Sequence, residues 1–140
     1  MPQTARNYNI LVVEDNPGDV LLIREAFAQC GRTCCITVAD GSQKAKDLLE
    51  AQSFDLVISD MGFRAEEGAD FIRSIRANPR LKTLPIIVLS GSPNPRPAYA
   101  AGANAFVAKT IDVDSFFEKI RVLMHFWMEV VELPRSSGTE

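Results

Sequence analysis

Five short apolar runs, four of them halting at a polar residue, limit this chain to very few folds. Asn9 to Val13 shows no polar alternation and ends at Glu14-Asp15. Such a run reads as a strand buried on both faces. Cys34 to Val38 is a short strand rich in β-branched residues, and Phe54 to Ser59 stops abruptly at Asp60. Pro85 to Leu89 ends at Ser90-Gly91-Ser92, and Ala103 to Ala108 ends at Lys109. Stretches of helical period lie between them. Asn16-Pro17-Gly18 is a turn leading into a helix over 19–30, with Val20, Ile23, Phe27 and Cys30 on one face and Gly31 as its stop. Ser42 is a candidate N-cap for a helix through Glu50 with an Ala45, Leu48 and Leu49 stripe. A loop over 61–68 carries Glu66 and Glu67 and precedes a third helix over 69–77, with Phe71, Ile72 and Ile75 inward. Strands alternating with helices predict a parallel sheet with helices on both faces.

One interval breaks the pattern. A helix belongs between the fourth and fifth strands, yet Pro93, Pro95 and Pro97 stand at alternate positions there. Proline removes a backbone donor and biases the preceding residue away from the helical region. At most a short helix over 98–101 fits before Gly102.

Composition narrows the function classes. At 140 residues the chain fits one domain with a real core. Its net charge of −3 offers no basic face for nucleic acid. No apolar run approaches the ~20 residues that span a bilayer. The polar start, with Pro2, is no secretion signal. Cys30, Cys34 and Cys35 are odd in number and lack C-x-x-C spacing, so they read as reduced thiols of a cytoplasmic protein.

The functional signal is where the polar residues fall. Glu14, Asp15, Asp60, Ser90 and Lys109 all terminate strands, so they share one edge of a parallel sheet, where ligands collect in open α/β folds. Singly, each has a bland reading as a cap, a turn residue or a solvated charge. Jointly they support one chemistry. Three carboxylates close together call for a cation, and oxygen-only ligands suit a hard ion such as Mg²⁺. A carboxylate beside Mg²⁺ and an ammonium can attack phosphorus, because phosphoryl transfer needs mainly positioning and charge neutralisation.

These residues carry a resemblance. The segments Leu11-Val12-Val13-Glu14-Asp15-Asn16, Asp55-Leu56-Val57-Ile58-Ser59-Asp60-Met61, Leu89-Ser90-Gly91-Ser92 and Gly102-Ala103-Asn104-Ala105-Phe106-Val107-Ala108-Lys109 resemble the receiver domain of two-component response regulators over residues 8–131. The resemblance implies a flavodoxin-like, doubly wound five-stranded sheet of order 2-1-3-4-5, with the receiver over 9–132 between tails at 1–8 and 133–140. It implies that Asp60 accepts a phosphoryl group from a sensor histidine kinase. Asp15, Asp60 and the backbone carbonyl of Gly62 would hold Mg²⁺, with Glu14 acting through a water. Lys109 would pair with Asp60 or the phosphoryl oxygens. Ser90 would be the switching hydroxyl, and Phe106 the aromatic that turns inward with it. More narrowly, Val13-Glu14-Asp15-Asn16-Pro17-Gly18-Asp19-Val20, the spacing from Asp60 to Gly68 and the ending from Phe126 to Pro134 resemble single-domain regulators partnered with bacterial phytochrome kinases. The chain departs from the receiver pattern at Thr110, where most have proline, at Gly62, which offers no side chain to an attacking water, and in the proline-rich segment.

The last helix, over 112–131, carries two apolar stripes. Phe116, Ile120, Leu123, Trp127 and Val130 form the expected core face. Phe117, Met124, Met128 and Val131 lie beside it as surplus, which with Trp127 suggests a homodimer surface. His125, the sole histidine, sits among polar neighbours and is not a phosphoryl donor. With no output domain after Pro134, the expected action is phosphorylation-dependent protein binding rather than enzymatic turnover. Two other readings compete: an Asp-nucleophile phosphatase, opposed by Gly62 where its acid/base Asp belongs, and a degenerate module that is never phosphorylated.

Overall fold

The computed structural model describes residues 7–60 and 65–134. The expected tails lie largely outside those residues, as do Met61 and Gly62. Five strands, β1 (Tyr8–Val13), β2 (Cys34–Ala39), β3 (Leu56–Asp60), β4 (Ile86–Ser90) and β5 (Ala105–Ala108), alternate with five helices, α1 (Pro17–Ala28), α2 (Ser42–Ala51), α3 (Ala65–Ala77), α4 (Arg96–Ala101) and α5 (Val113–His125). The sheet is wholly parallel with order β2-β1-β3-β4-β5, the flavodoxin-like arrangement.

Register decides what meets at the sheet edge. Val13 pairs with Ser59, Asp60 with Leu89, and Ser90 with Ala108. Glu14, Asp60, Ser90 and Lys109 therefore emerge at one level. Below them each strand feeds two cores, because successive side chains point to opposite faces. Leu11, Val13, Val57, Ile86 and Val88 pack with Leu49, Phe71, Ile72 and Ile75 of α2 and α3. Ile10, Val12, Leu56, Ile58, Ile87 and Leu89 pack with residues of α1 and α5. Burying each aliphatic side chain contributes about 1.5–3 kcal/mol, which is what clamps the strand ends in place.

Local chemistry sets the helix ends. The Asn16 side chain caps α1, accepting from Gly18 N at 2.8 Å and Asp19 N at 3.2 Å, with Pro17 in the first turn. Ser42 is not the cap of α2. Gly41 takes that position, and Ser42 Oγ donates instead to Glu67 Oε2 at 2.8 Å. Helix α3 begins one turn earlier than its apolar stripe indicates, so Glu66 and Glu67 lie in its first turn, where the helix dipole favours acids. Helix α4 is short, as the prolines require, yet it starts at Arg96 rather than at residue 98, because a proline in the first turn costs no hydrogen bond. It ends at Gly102, whose φ of +117° closes the helix with N–H donation to Ala98 O and Tyr99 O.

The last helix corrects the expected division of its faces. Asp112 caps it through Ser115 N at 3.0 Å, and after His125 it continues as a π-helical turn, Phe126–Val130, where Val131 N donates to Phe126 O at 2.9 Å. The buried seam is Phe116, Ile120, Met124 and Met128, with Met124 at 0% and Met128 at 2% exposure. Those two methionines are core and have no surface to offer a partner. Val130, expected inside, is 58% exposed. The wider turn is the reason. Ordinary α-geometry would drift off the sheet by this point, whereas the π turn keeps a four-residue spacing in line.

Candidate functional site

Lys109 is the centre of the strand-end site. It follows β5, and its N–H donates to Ser90 O at 2.8 Å, which fixes its backbone beside β4. Its Nζ donates to Asp19 Oδ2 at 2.7 Å, lies 3.5 Å from Glu14 Oε1, and is ion-paired at close range with Asp60 Oδ2. Asp60 is delivered by the buried β3, and its side chain is 6% exposed. Carboxylate oxygens of Glu14, Asp19 and Asp60 all lie within 4.8 Å of one another.

One ammonium cannot balance three carboxylates, and Glu14 registers the excess. Burial, a hydrogen bond to Asp60 and the negative charge of Asp60 together raise its pKa to about 8, against the lowering effects of Lys109 and the Asn16 backbone N–H. Burial would by itself lower the pKa of Lys109. The carboxylates of Asp19, Asp60 and Glu14 outweigh that and raise it, so the ammonium stays charged.

Above these groups opens a cavity of about 250 Å³. Asp15, Asn16, Gly41, Ser42, Glu67 and Gly68 are among its lining, so α2 and α3 wall the side opposite α1. An all-oxygen donor set with surplus negative charge fits a hard divalent ion, which would offset the Asp60 charge that, with burial, raises the Glu14 pKa. The cavity leaves room for the waters such an ion retains.

The expected residues are distributed unevenly. Asp60, Lys109 and Glu14 converge. Asp15 lines the cavity but stands outside the close group of three carboxylates. Asp19 takes that place, and sequence reasoning missed it. Its signal was available, as an acid in the first turn of the helix that follows the Glu14-Asp15 strand end. Ser90 is buried, and its Oγ accepts from Ser92 N at 3.0 Å. Phe106 is half-buried on the α4 side, and its N–H donates to Tyr99 Oη at 3.2 Å. Lys109 and Thr110 are joined by a trans peptide, and no cis bond occurs among the described residues.

Comparison with known proteins places this geometry. The family model described as the response regulator receiver domain matches residues 10–121. The response regulator Rcp1 of Synechocystis is 25% identical over 135 residues, covering 89% of this chain and 92% of Rcp1. The Mn²⁺-bound crystal structure of Rcp1 superposes with a TM-score of 0.83 at 25% identity, covering 91% of this chain and 99% of that one. The phosphorylated cyanobacterial phytochrome response regulator RcpA gives 0.84 at 26% identity, covering 92% and 99%. The response regulator RPA3017, of red light signaling in R. palustris, gives 0.76 at 25% identity, covering 91% and 98%.

Proposed function

This chain belongs to the response regulator receiver domain family, and on that premise we propose that it is a single-domain response regulator that accepts a phosphoryl group on Asp60. The donor is the phosphohistidine of a sensor kinase. The relatives that are themselves phytochrome or red-light regulators support a bacteriophytochrome as that kinase, acting in the cytoplasm. The observation that carries the reading is the pairing of the Lys109 ammonium with Asp60 inside a cavity lined by surplus carboxylates.

In the transfer, a carboxylate oxygen of Asp60 bonds to phosphorus as the bond to the histidine nitrogen breaks, and the imidazole leaves with the electron pair. Lys109 meets the charge that develops on the phosphoryl oxygens. Asp15 and Asp60, with the carbonyl of Gly62, would hold Mg²⁺, and Glu14 would reach it through a water. An ion held by these residues would supply positive charge against that of the phosphoryl group. The Rcp1 structure with Mn²⁺ supports a divalent site in this fold.

The readout couples Ser90 to Phe106. A phosphoryl group on Asp60 draws the Ser90 hydroxyl, and Phe106 turns into the space released. Partners then read the altered face of α4, β5 and α5, including a second copy of the chain through Phe117, Trp127 and Val131.

Incubation with acetyl phosphate and Mg²⁺, followed by intact mass, tests the reading. One phosphoryl adduct in the native protein and none in Asp60→Asn is the expected result. No adduct in the native protein overturns it in favour of an unphosphorylated interaction module, and steady hydrolysis of small phosphoesters overturns it in favour of a phosphatase.

A further inference from the structure

The Lys109 ammonium has three protons to donate and faces three carboxylates. Two of those, Glu14 and Asp60, come from strand ends and are almost wholly buried, with side-chain exposures of 1% and 6%. The third, Asp19, comes from the first turn of α1 and is 21% exposed. Its backbone is held by the cap of α1. Asp19 N donates to Asn16 Oδ1 at 3.2 Å, and Val20 N donates to Asn16 O at 3.1 Å. Its Oδ2 lies 2.7 Å from Nζ, at the length of a charge-assisted hydrogen bond, whereas Glu14 Oε1 is at 3.5 Å.

An ammonium set among three carboxylates competes with a divalent ion for the same oxygens. We propose that Asp19 is a positioning residue that holds the Lys109 ammonium beside Asp60, as the counter-ion of the lysine and not as a ligand of the metal. This rests on the receiver reading for its purpose but concerns the unphosphorylated protein. A divalent ion that draws on Asp60 displaces the ammonium from it. Asp19 then keeps Nζ within reach, so that the cation is in place when a phosphoryl group arrives. Without the charge of Asp19 the ammonium falls back on Asp60 and Glu14 and competes with the metal directly.

Free Mn²⁺, measured by electron paramagnetic resonance, is the probe, with Asp19→Asn, Lys109→Met and the double variant. In the native background Asp19→Asn weakens Mn²⁺ binding by about three- to tenfold. In the Lys109→Met background the same change has an effect below about twofold, because the ammonium through which it acts is gone. The Lys109 ammonium resonance in the metal-free protein, at one shift in the native chain and in Asp19→Glu, moves in Asp19→Asn as hydrogen bonds to Asp60 and Glu14 replace the one to Asp19. The α1 cap uses the backbone N–H of Asp19, so circular dichroism of the variants stays native. A loss of about a hundredfold in both backgrounds makes Asp19 a metal ligand and overturns the proposal. An unchanged affinity together with an unchanged ammonium signal also overturns it. Failure of Asp60 to take phosphate from acetyl phosphate is a separate result. It removes the receiver reading without moving the Mn²⁺ cycle or the ammonium resonance.

Discussion

The buried carboxyl of Glu14 and the carboxylate of Asp60 bring oxygens within 4.8 Å of each other. A buried acid this close to a second one makes folding sensitive to pH. The folded pKa of Glu14 is about 8 against an ordinary 4.5, so between those values the native state binds more protons than the unfolded one. Stability contributed by the protonated carboxyl is complete below the lower value and is lost as pH rises through the upper one. The metal-free protein is expected to lose on the order of 1–3 kcal/mol from this group between pH 5.5 and about pH 8.5. Glu14→Gln removes that slope, and saturating Mg²⁺ flattens it. Thermal unfolding across the range, with EDTA and with Mg²⁺, checks all three outcomes.

Removing the central cation exposes the opposite imbalance. Lys109→Met leaves Glu14, Asp19 and Asp60 without their common partner. The metal-free variant is expected to be about 2 kcal/mol less stable at neutral pH, since an uncompensated buried charge costs more than the pair contributes. Mg²⁺ recovers most of the loss. Urea midpoints with and without the ion test this, and a variant equally stable in both conditions contradicts it.

Gly102 and Arg76 hold the short fourth helix from outside. Gly102 has φ +117°, and a Cβ built there would stand 2.7 Å from Arg76 Cγ. The guanidinium donates to Gly102 O, Lys82 O, Leu84 O and Asn104 Oδ1. Gly102→Ala combines left-handed strain with displacement of that side chain and is expected to cost about 2–3 kcal/mol. Arg76→Met removes a donor from four acceptors, of which Asn104 Oδ1 keeps a second donor in Ile86 N at 2.8 Å, and costs about as much. Chemical denaturation reads both. A loss under half a unit in either variant shows that α4 is held by other contacts.

The π-helical turn is tied to the loop after α1. Gly31 N donates to Glu129 Oε2 at 3.1 Å, and Arg32 Nε donates to Met128 O at 2.9 Å. Glu129→Ala is expected to raise amide exchange in 126–131 while leaving β1, β3 and β4 protected. Exchange followed by mass spectrometry decides it. Protection lost throughout the sheet instead makes the turn part of the global folding unit.

Five strands, their order along the chain and the polar residues that end four of them were legible in the sequence because apolar periodicity is a local signal. The strand-end residues Glu14, Asp60 and Lys109 followed directly, since parallel register brings such ends to one level. The shortened fourth helix was legible for an equally local reason, because proline acts on its own peptide and its neighbour.

What lay beyond the sequence depends on how elements meet. Asp19 joins the site because α1 starts above β1 and aims its first turn at Lys109, a matter of packing that no spacing in the chain records. Asp15, next to Glu14, stands outside the close carboxylate group because adjacent residues at a strand end point in different directions. Met124 is core because it continues the Phe116 and Ile120 spacing within α5, and Met128 because a π turn then shifts the phase of the helix, whereas helical wheels assume a constant one. The sequence alone determined the sheet, its chemical edge and the carboxylate of Asp60 at the end of the third strand. The tertiary structure alone decided which third carboxylate shares the lysine and which face of the last helix remains outside, because both depend on the angle and phase at which a helix packs on the sheet.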